Sequence, residues 1–168
     1  MQPTIPLILT ISLDRNSEDY FTRLRTAHYP KHRNYIAAHL TLFHRLPSGN
    51  ATINRMVEEH SNRAILPIQV TGITNPVNGV AYTLFSEELM ALHKAMQRSL
   101  GGYLIRRDRG VYRPHITVQH QVTALKAQRT ASLLMQDFKP FTVQGTGIAA
   151  WLYKKGKWEP VREYPFTM

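Results

Sequence analysis

The chain has 168 residues, 43% hydrophobic and 19% charged, the size and balance of one folded domain. Lys and Arg number 21 against 11 Asp and Glu, a formal charge of +10 that draws anions such as nucleotides, nucleic acid or acidic lipid. There is no cysteine, which excludes disulfides, thiol catalysis and thiolate metal sites and fits a reducing cytoplasm.

Met1–Leu13 has no early Lys or Arg and carries Pro3 and Pro6, unlike a secretory leader, and no apolar run reaches transmembrane length. It reads as a tail and a first buried strand, Leu7–Leu13. A helix capped at Asn16 or Ser17 runs to about His28, where Tyr29-Pro30 stops it. Tyr35–His44 reads as a strand closed by Pro47-Ser48-Gly49-Asn50, and Ala51–Arg63 as a helix. Ile65–Thr74 and Val80–Phe85 are strands around an Asn75–Gly79 turn. Ser86 caps a helix that ends at Gly101-Gly102. Then come a strand at Tyr112–Val122, a helix from Thr123 to Phe138 and a strand at Phe141–Tyr153. A turn around Gly156 leads into a final strand, Trp158–Phe166.

The order repeats. At an offset of 76 residues, His39 falls on His115, Thr41 on Thr117 and His44 on His120. At an offset of 75, Ile68–Ile73 falls on Val143–Ile148 with four of six positions identical. The expected fold is therefore α+β and bilobal. Two pseudo-two-fold-related β-α-β-α-β halves, about 7–75 and 80–168, place largely antiparallel sheets around a central cleft in a single domain spanning 1–168.

Strict strand alternation puts Tyr35, Ala37, His39, Thr41 and Phe43 on one face, and Arg113, His115, Thr117 and Gln119 on the matching one. The opposite faces are apolar and carry His44 and His120, which are expected to cap the core or bond backbone. By the same alternation, His39, His44, His115 and His120 cannot converge on one metal ion. Two imidazoles and two hydroxyls in one cleft suit a phosphodiester. One neutral His accepts a proton from the attacking oxygen and one imidazolium donates to the leaving oxygen, while Thr41 and Thr117 hold the phosphate. This scheme needs no metal or organic cofactor. Phe43 either stacks a base or packs between lobes, and Arg113 either neutralises phosphate or is simply solvated. Tyr153 and Trp151 are weaker candidates for base stacking. The Arg106-Arg107-Asp108-Arg109 loop lies near the cleft rim or merely carries charge.

The motifs His39-Leu40-Thr41-Leu42 and His115-Ile116-Thr117-Val118 resemble the paired signature of the 2H phosphoesterase superfamily. The runs AHLTLFHRLP and YRPHITVQ are similar to its 2′-5′ RNA ligase-like and RNA cyclic phosphodiesterase branch, and the C-terminal hairpin resembles that of such proteins. The resemblance implies a bilobal fold, catalytic His39 and His115, and phosphate-binding Thr41 and Thr117. It also implies substrates such as 2′,3′-cyclic phosphates or 2′-5′-linked RNA, with hydrolysis and ligation as opposite directions of one displacement. The pair Gln119-His120 departs from many relatives, which have a small residue and then a basic one. A cytoplasmic monomer acting on RNA ends or small nucleotides is expected, with no membrane association and no obligate protein partner. The rival reading is an RNA-binding module that keeps the cleft without turnover.

Overall fold

The computed structural model describes residues 4–168. The chain runs β1 (Pro6–Leu13), α1 (Arg15–His28), β2 (Leu40–Pro47), α2 (Ala51–Ser61), β3 (Leu66–Thr74), β4 (Val80–Phe85), α3 (Glu87–Leu100), β5 (His115–Gln119), α4 (Ala124–Gln136), β6 (Phe141–Lys154) and β7 (Lys157–Pro165). Every strand pairing is antiparallel. The two halves share one continuous sheet in the order β1-β2-β5-β4-β3-β6-β7, which closes into a barrel through pairing of β1 with β6. β6 is long enough, at 14 residues, to serve β3 near its start and β1 and β7 along the rest.

Local chemistry explains most element ends. Asp14, not Asn16 or Ser17, caps α1. Its carboxylate accepts the Ser17 N–H at 3.0 Å and the Gln144 N–H at 2.9 Å, tying the helix start to β6. Asn50, Ser86 and Thr123 cap α2, α3 and α4 through their side-chain oxygens. β1 is paired on both edges and buried on both faces over Leu7–Ile11. That is why LILTI reads as a continuous rather than an alternating run.

The two motif strands are shorter than expected. β2 begins at Leu40 rather than Tyr35, and β5 covers only His115–Gln119 of the expected Tyr112–Val122. The carbonyls of Ala37 and Arg113 accept from histidine side chains, and Pro114 has no N–H to give a ladder. Helix α1 packs over β5, and its Phe21 meets Tyr82 of β4 edge-on at 5.3 Å in the core.

Gly79 sits where β4 meets the end of β5. A Cβ there would run into the Gln119 carbonyl oxygen, part of the backbone. Gly79→Ala is therefore expected to destabilise the fold by about 1–3 kcal/mol, read as a lower urea midpoint at unchanged slope.

Candidate active site

The motif strands do not alternate to their ends. In β2, Thr41 pairs with Thr10 but Phe43 pairs with the next residue, Leu9, so one residue is extra. In β5, Thr117 pairs with Ala81 and Gln119 with Val80, the same irregularity. Both are β-bulges, 76 residues apart, immediately after the His-x-Thr. Each bulge puts two successive side chains into the interior: Leu42 with Phe43, and Val118 with Gln119.

The bulges overturn part of the face assignment. Phe43 is fully buried and stacked on His93 at 4.6 Å, so it is not a base-stacking residue of the cleft. Gln119 is likewise buried, and its amide nitrogen donates to the His28 carbonyl and the Thr130 hydroxyl. His44 and His120, expected on the core face, instead line the cleft together with His39 and His115. All four histidines therefore face one cleft, contrary to strict alternation, although no group of His, Asp or Glu among the described residues is arranged to hold a metal ion.

The cleft has a volume of about 1020 Å³ and is lined by His39, Thr41, His115 and Thr117, so the structure brings both motifs to one place. Each motif histidine is locked in the same way. His39 Nδ1 donates to the Ala37 carbonyl at 3.0 Å, and His115 Nδ1 donates to the Arg113 carbonyl at 2.8 Å. A carbonyl only accepts, so Nδ1 carries the hydrogen and Nε2 is left to exchange a proton. The environments differ. His115 is exposed, whereas His39 is half-buried beneath the Trp158 ring at 4.5 Å. Burial pushes the His39 pKa down to about 4, helped by the nearby charges of Arg25, His115 and His44 and opposed by its bond to Ala37. His39 is thus neutral at physiological pH.

Behind the motifs, the Tyr112 hydroxyl donates to the Thr41 carbonyl at 2.9 Å, and Arg25 Nη1 donates to the Thr117 carbonyl at 3.1 Å. Arg25 is 5% exposed, its guanidinium lies 4.0 Å over the Tyr29 ring, and no carboxylate among the described residues pairs with it. A buried, unneutralised cation beside two His-x-Thr pairs favours an anionic ligand.

Arg113 and Tyr153 line the cleft, but Trp151 does not. Its indole N–H donates to the Thr10 hydroxyl at 3.0 Å. The tryptophan in the cleft is Trp158, which the sequence reading did not single out. A signal was available: Tyr153 and Trp158 are equidistant from the Lys155-Gly156 turn, where both residues have positive φ, and they pair directly across β6 and β7. Also overlooked was Asp108, a buried carboxylate in the Arg-rich loop that binds His44.

The barrel closes with the two His-x-Thr strands side by side. Residues 13–157 match the family model described as the 2′-5′ RNA ligase superfamily, and the chain belongs to that superfamily. Among solved structures, it is similar to E. coli LigT complexed with 3′-AMP at 14% identity, with a TM-score of 0.61 and 99% of this chain and 100% of that one covered. It is similar to TT0787 of Thermus thermophilus at 13% identity, with a TM-score of 0.65 and coverage of 96% and 98%. It is also similar to Kluyveromyces marxianus Usb1 with uridine monophosphate at 15% identity, with a TM-score of 0.51 and coverage of 96% and 98%. At these identities the likeness is one of fold. No curated protein sequence matches the chain significantly. No helix among the described residues is long and apolar enough to cross a membrane.

Proposed function

We propose that the chain is a phosphodiesterase that works with His39 and His115, without a metal, on 2′,3′-cyclic phosphates or 2′-5′ linkages of RNA ends or small nucleotides. The observation that carries this reading is the matched Nδ1 lock, which leaves two Nε2 atoms available in one cleft. Neutral His39 takes the proton of the attacking hydroxyl or water as its oxygen bonds to phosphorus. Protonated His115 gives its proton to the ribose oxygen as the P–O bond breaks. Thr41 and Thr117 donate to the non-bridging oxygens and hold the in-line geometry. Run backwards, with the two proton roles exchanged, the same displacement joins ends. The nucleotides named with LigT and Usb1 structures support this ligand class.

The halves 7–75 and 80–168 are proposed to be related by an approximate two-fold within one domain. In support, exchanging β1, β2 and β3 with β4, β5 and β6 leaves the map of barrel pairings unchanged, and the bulges repeat at the motif offset.

The test is turnover of nucleoside 2′,3′-cyclic phosphates and 2′-5′-linked dinucleotides by the purified protein in excess EDTA. Phosphomonoester product is expected from at least one class. Salt-dependent RNA affinity with no product from either would replace the enzyme with a binding module. The proton roles set the pH profile. Activity requires neutral His39, so the acid limb of kcat/KM is expected near pH 4, where falling pH protonates that ring. An acid limb unchanged when His39 is replaced would overturn its role as the base.

A further inference from the structure

The third histidine of the cleft is held differently from the catalytic pair. His44 Nδ1 donates to Asp108 Oδ1 at 2.8 Å, where His39 and His115 donate to main-chain carbonyls. Asp108 is itself fixed. Its side chain is 2% exposed, and Oδ2 accepts the backbone N–H groups of His44 at 2.8 Å and Arg45 at 3.2 Å. Either lock fixes Nδ1–H and leaves Nε2 outside it, but only His44 has a buried carboxylate behind the ring, an arrangement that suits Nε2–H donating to an anion. The side chain of His44 is 33% exposed and lines the cleft, so this donor is available to a ligand.

Two guanidinium groups share this end of the cleft. His44 follows Thr41 along β2, and Arg113 precedes His115 at the start of β5. The strands are antiparallel through the Leu40–Ile116 pair, so both residues lie in the same direction from the motif histidines. Arg107 adjoins Asp108 and lines the same cleft. Among the described residues, neither arginine has a carboxylate within 4.0 Å. The opposite end, beyond Thr117, holds Arg25 and Arg33. A single phosphate bound by Thr41 and Thr117 between these ends leaves the His44 cluster without an anion, and the cleft, at about 1020 Å³, is at the upper end of small-ligand pockets.

We propose that His44, oriented by Asp108 and flanked by Arg107 and Arg113, forms a second phosphate subsite, so that the enzyme acts on nucleotide chains carrying a phosphate one nucleoside away from the reacting one. The subsite rests on the phosphodiesterase reading for its substrate but not for its binding chemistry. His44 and the arginines donate to the non-reacting phosphate, and no bond to it forms or breaks.

The test compares adenosine 2′,3′-cyclic phosphate with the same compound bearing a 5′-phosphate. The wild-type protein is expected to favour the doubly phosphorylated substrate at least tenfold in kcat/KM, chiefly through KM. His44→Ala and Arg113→Ala are each expected to lower kcat/KM for that substrate at least fivefold more than for the singly phosphorylated one. A variant that merely weakens the fold would depress both equally. A second measurement needs no turnover: the His44 imidazole resonances of the wild-type protein, followed by NMR as inorganic pyrophosphate is added. Saturable shifts of His44, weakened in Arg113→Ala, support the subsite. Equal losses on both substrates, or a His44 signal unmoved at saturating pyrophosphate, overturn it. Turnover of neither substrate overturns the cyclic-phosphate half of the phosphodiesterase reading and leaves the other half to the 2′-5′-linked dinucleotides, and the subsite then stands or falls on the pyrophosphate titration.

Discussion

On the proposed mechanism, His39→Ala and His115→Ala are each expected to lower kcat for 2′,3′-cyclic phosphate hydrolysis by about 10²–10⁴-fold, the range for removal of a positioned general acid or base. KM changes far less, since neither imidazole is the main phosphate ligand. The double variant is expected to be little worse than either single one, because the two histidines serve one proton relay and their effects do not add. Both side chains are at the surface of the cleft rather than in the core, so the variants fold. Circular dichroism and urea midpoints close to wild type verify that point. Undiminished turnover in either single variant overturns the two-histidine mechanism. Thr41→Val and Thr117→Val keep the β-branched shape and remove only the hydroxyl, which isolates phosphate stabilisation from strand packing.

The protein is expected to lose stability as pH falls from about 6.5 to about 4, and His93, in the core, is a main source. Its ring is stacked between Phe43 at 4.6 Å and Tyr112 at 3.9 Å, both within 7° of parallel, and is 4% exposed. Burial pushes its pKa down to about 4, although its Nε2–H donates to the Leu42 carbonyl and Asp108 lies nearby. The unfolded chain binds a proton near pH 6.5 and the folded chain does not, so its contribution is complete above about 6.5 and lost as pH falls to about 4. The drop is about 3 kcal/mol from this residue. Urea denaturation at pH 7, 5.5 and 4 measures it. His93→Phe retains the aromatic stack and cannot titrate, so its stability falls less steeply over the same range. Parallel curves for variant and wild type would place the acid sensitivity elsewhere.

Much of the molecule was legible from residue order. The helix from Glu87 and its ends followed from Ser86 and Gly101-Gly102, because capping and chain reversal are local. The convergence of His39, Thr41, His115 and Thr117 on one cleft followed from the repeat. The failures share a cause: alternation assumes a period of two, and one extra residue after each His-x-Thr breaks it. Thus Phe43 went to the core and His44 and His120 to the cleft. Asp108 was invisible because a carboxylate among arginines reads as a solvated loop. Only the folded chain shows it buried against the His44 backbone. Trp158 escaped notice because its place depends on hairpin register, which the turn at Lys155-Gly156 sets.

The paired bulges tie catalysis to the closure of the barrel. A bulge deepens the right-handed coil of its strand, and here it occurs in the two strands that meet at Leu40 and Ile116. Coiling there helps bend the sheet far enough for β1 to reach β6. The irregularity that aims His44 into the cleft is therefore also part of what makes the sheet circular. A β2 paired without the bulge would be flatter and, by strict alternation, would turn Phe43 and Arg45, instead of His44, toward the cleft, while loosening the β1–β6 seam. Shape of the barrel and choice of cleft residue would then change together, so drift in one is constrained by the other.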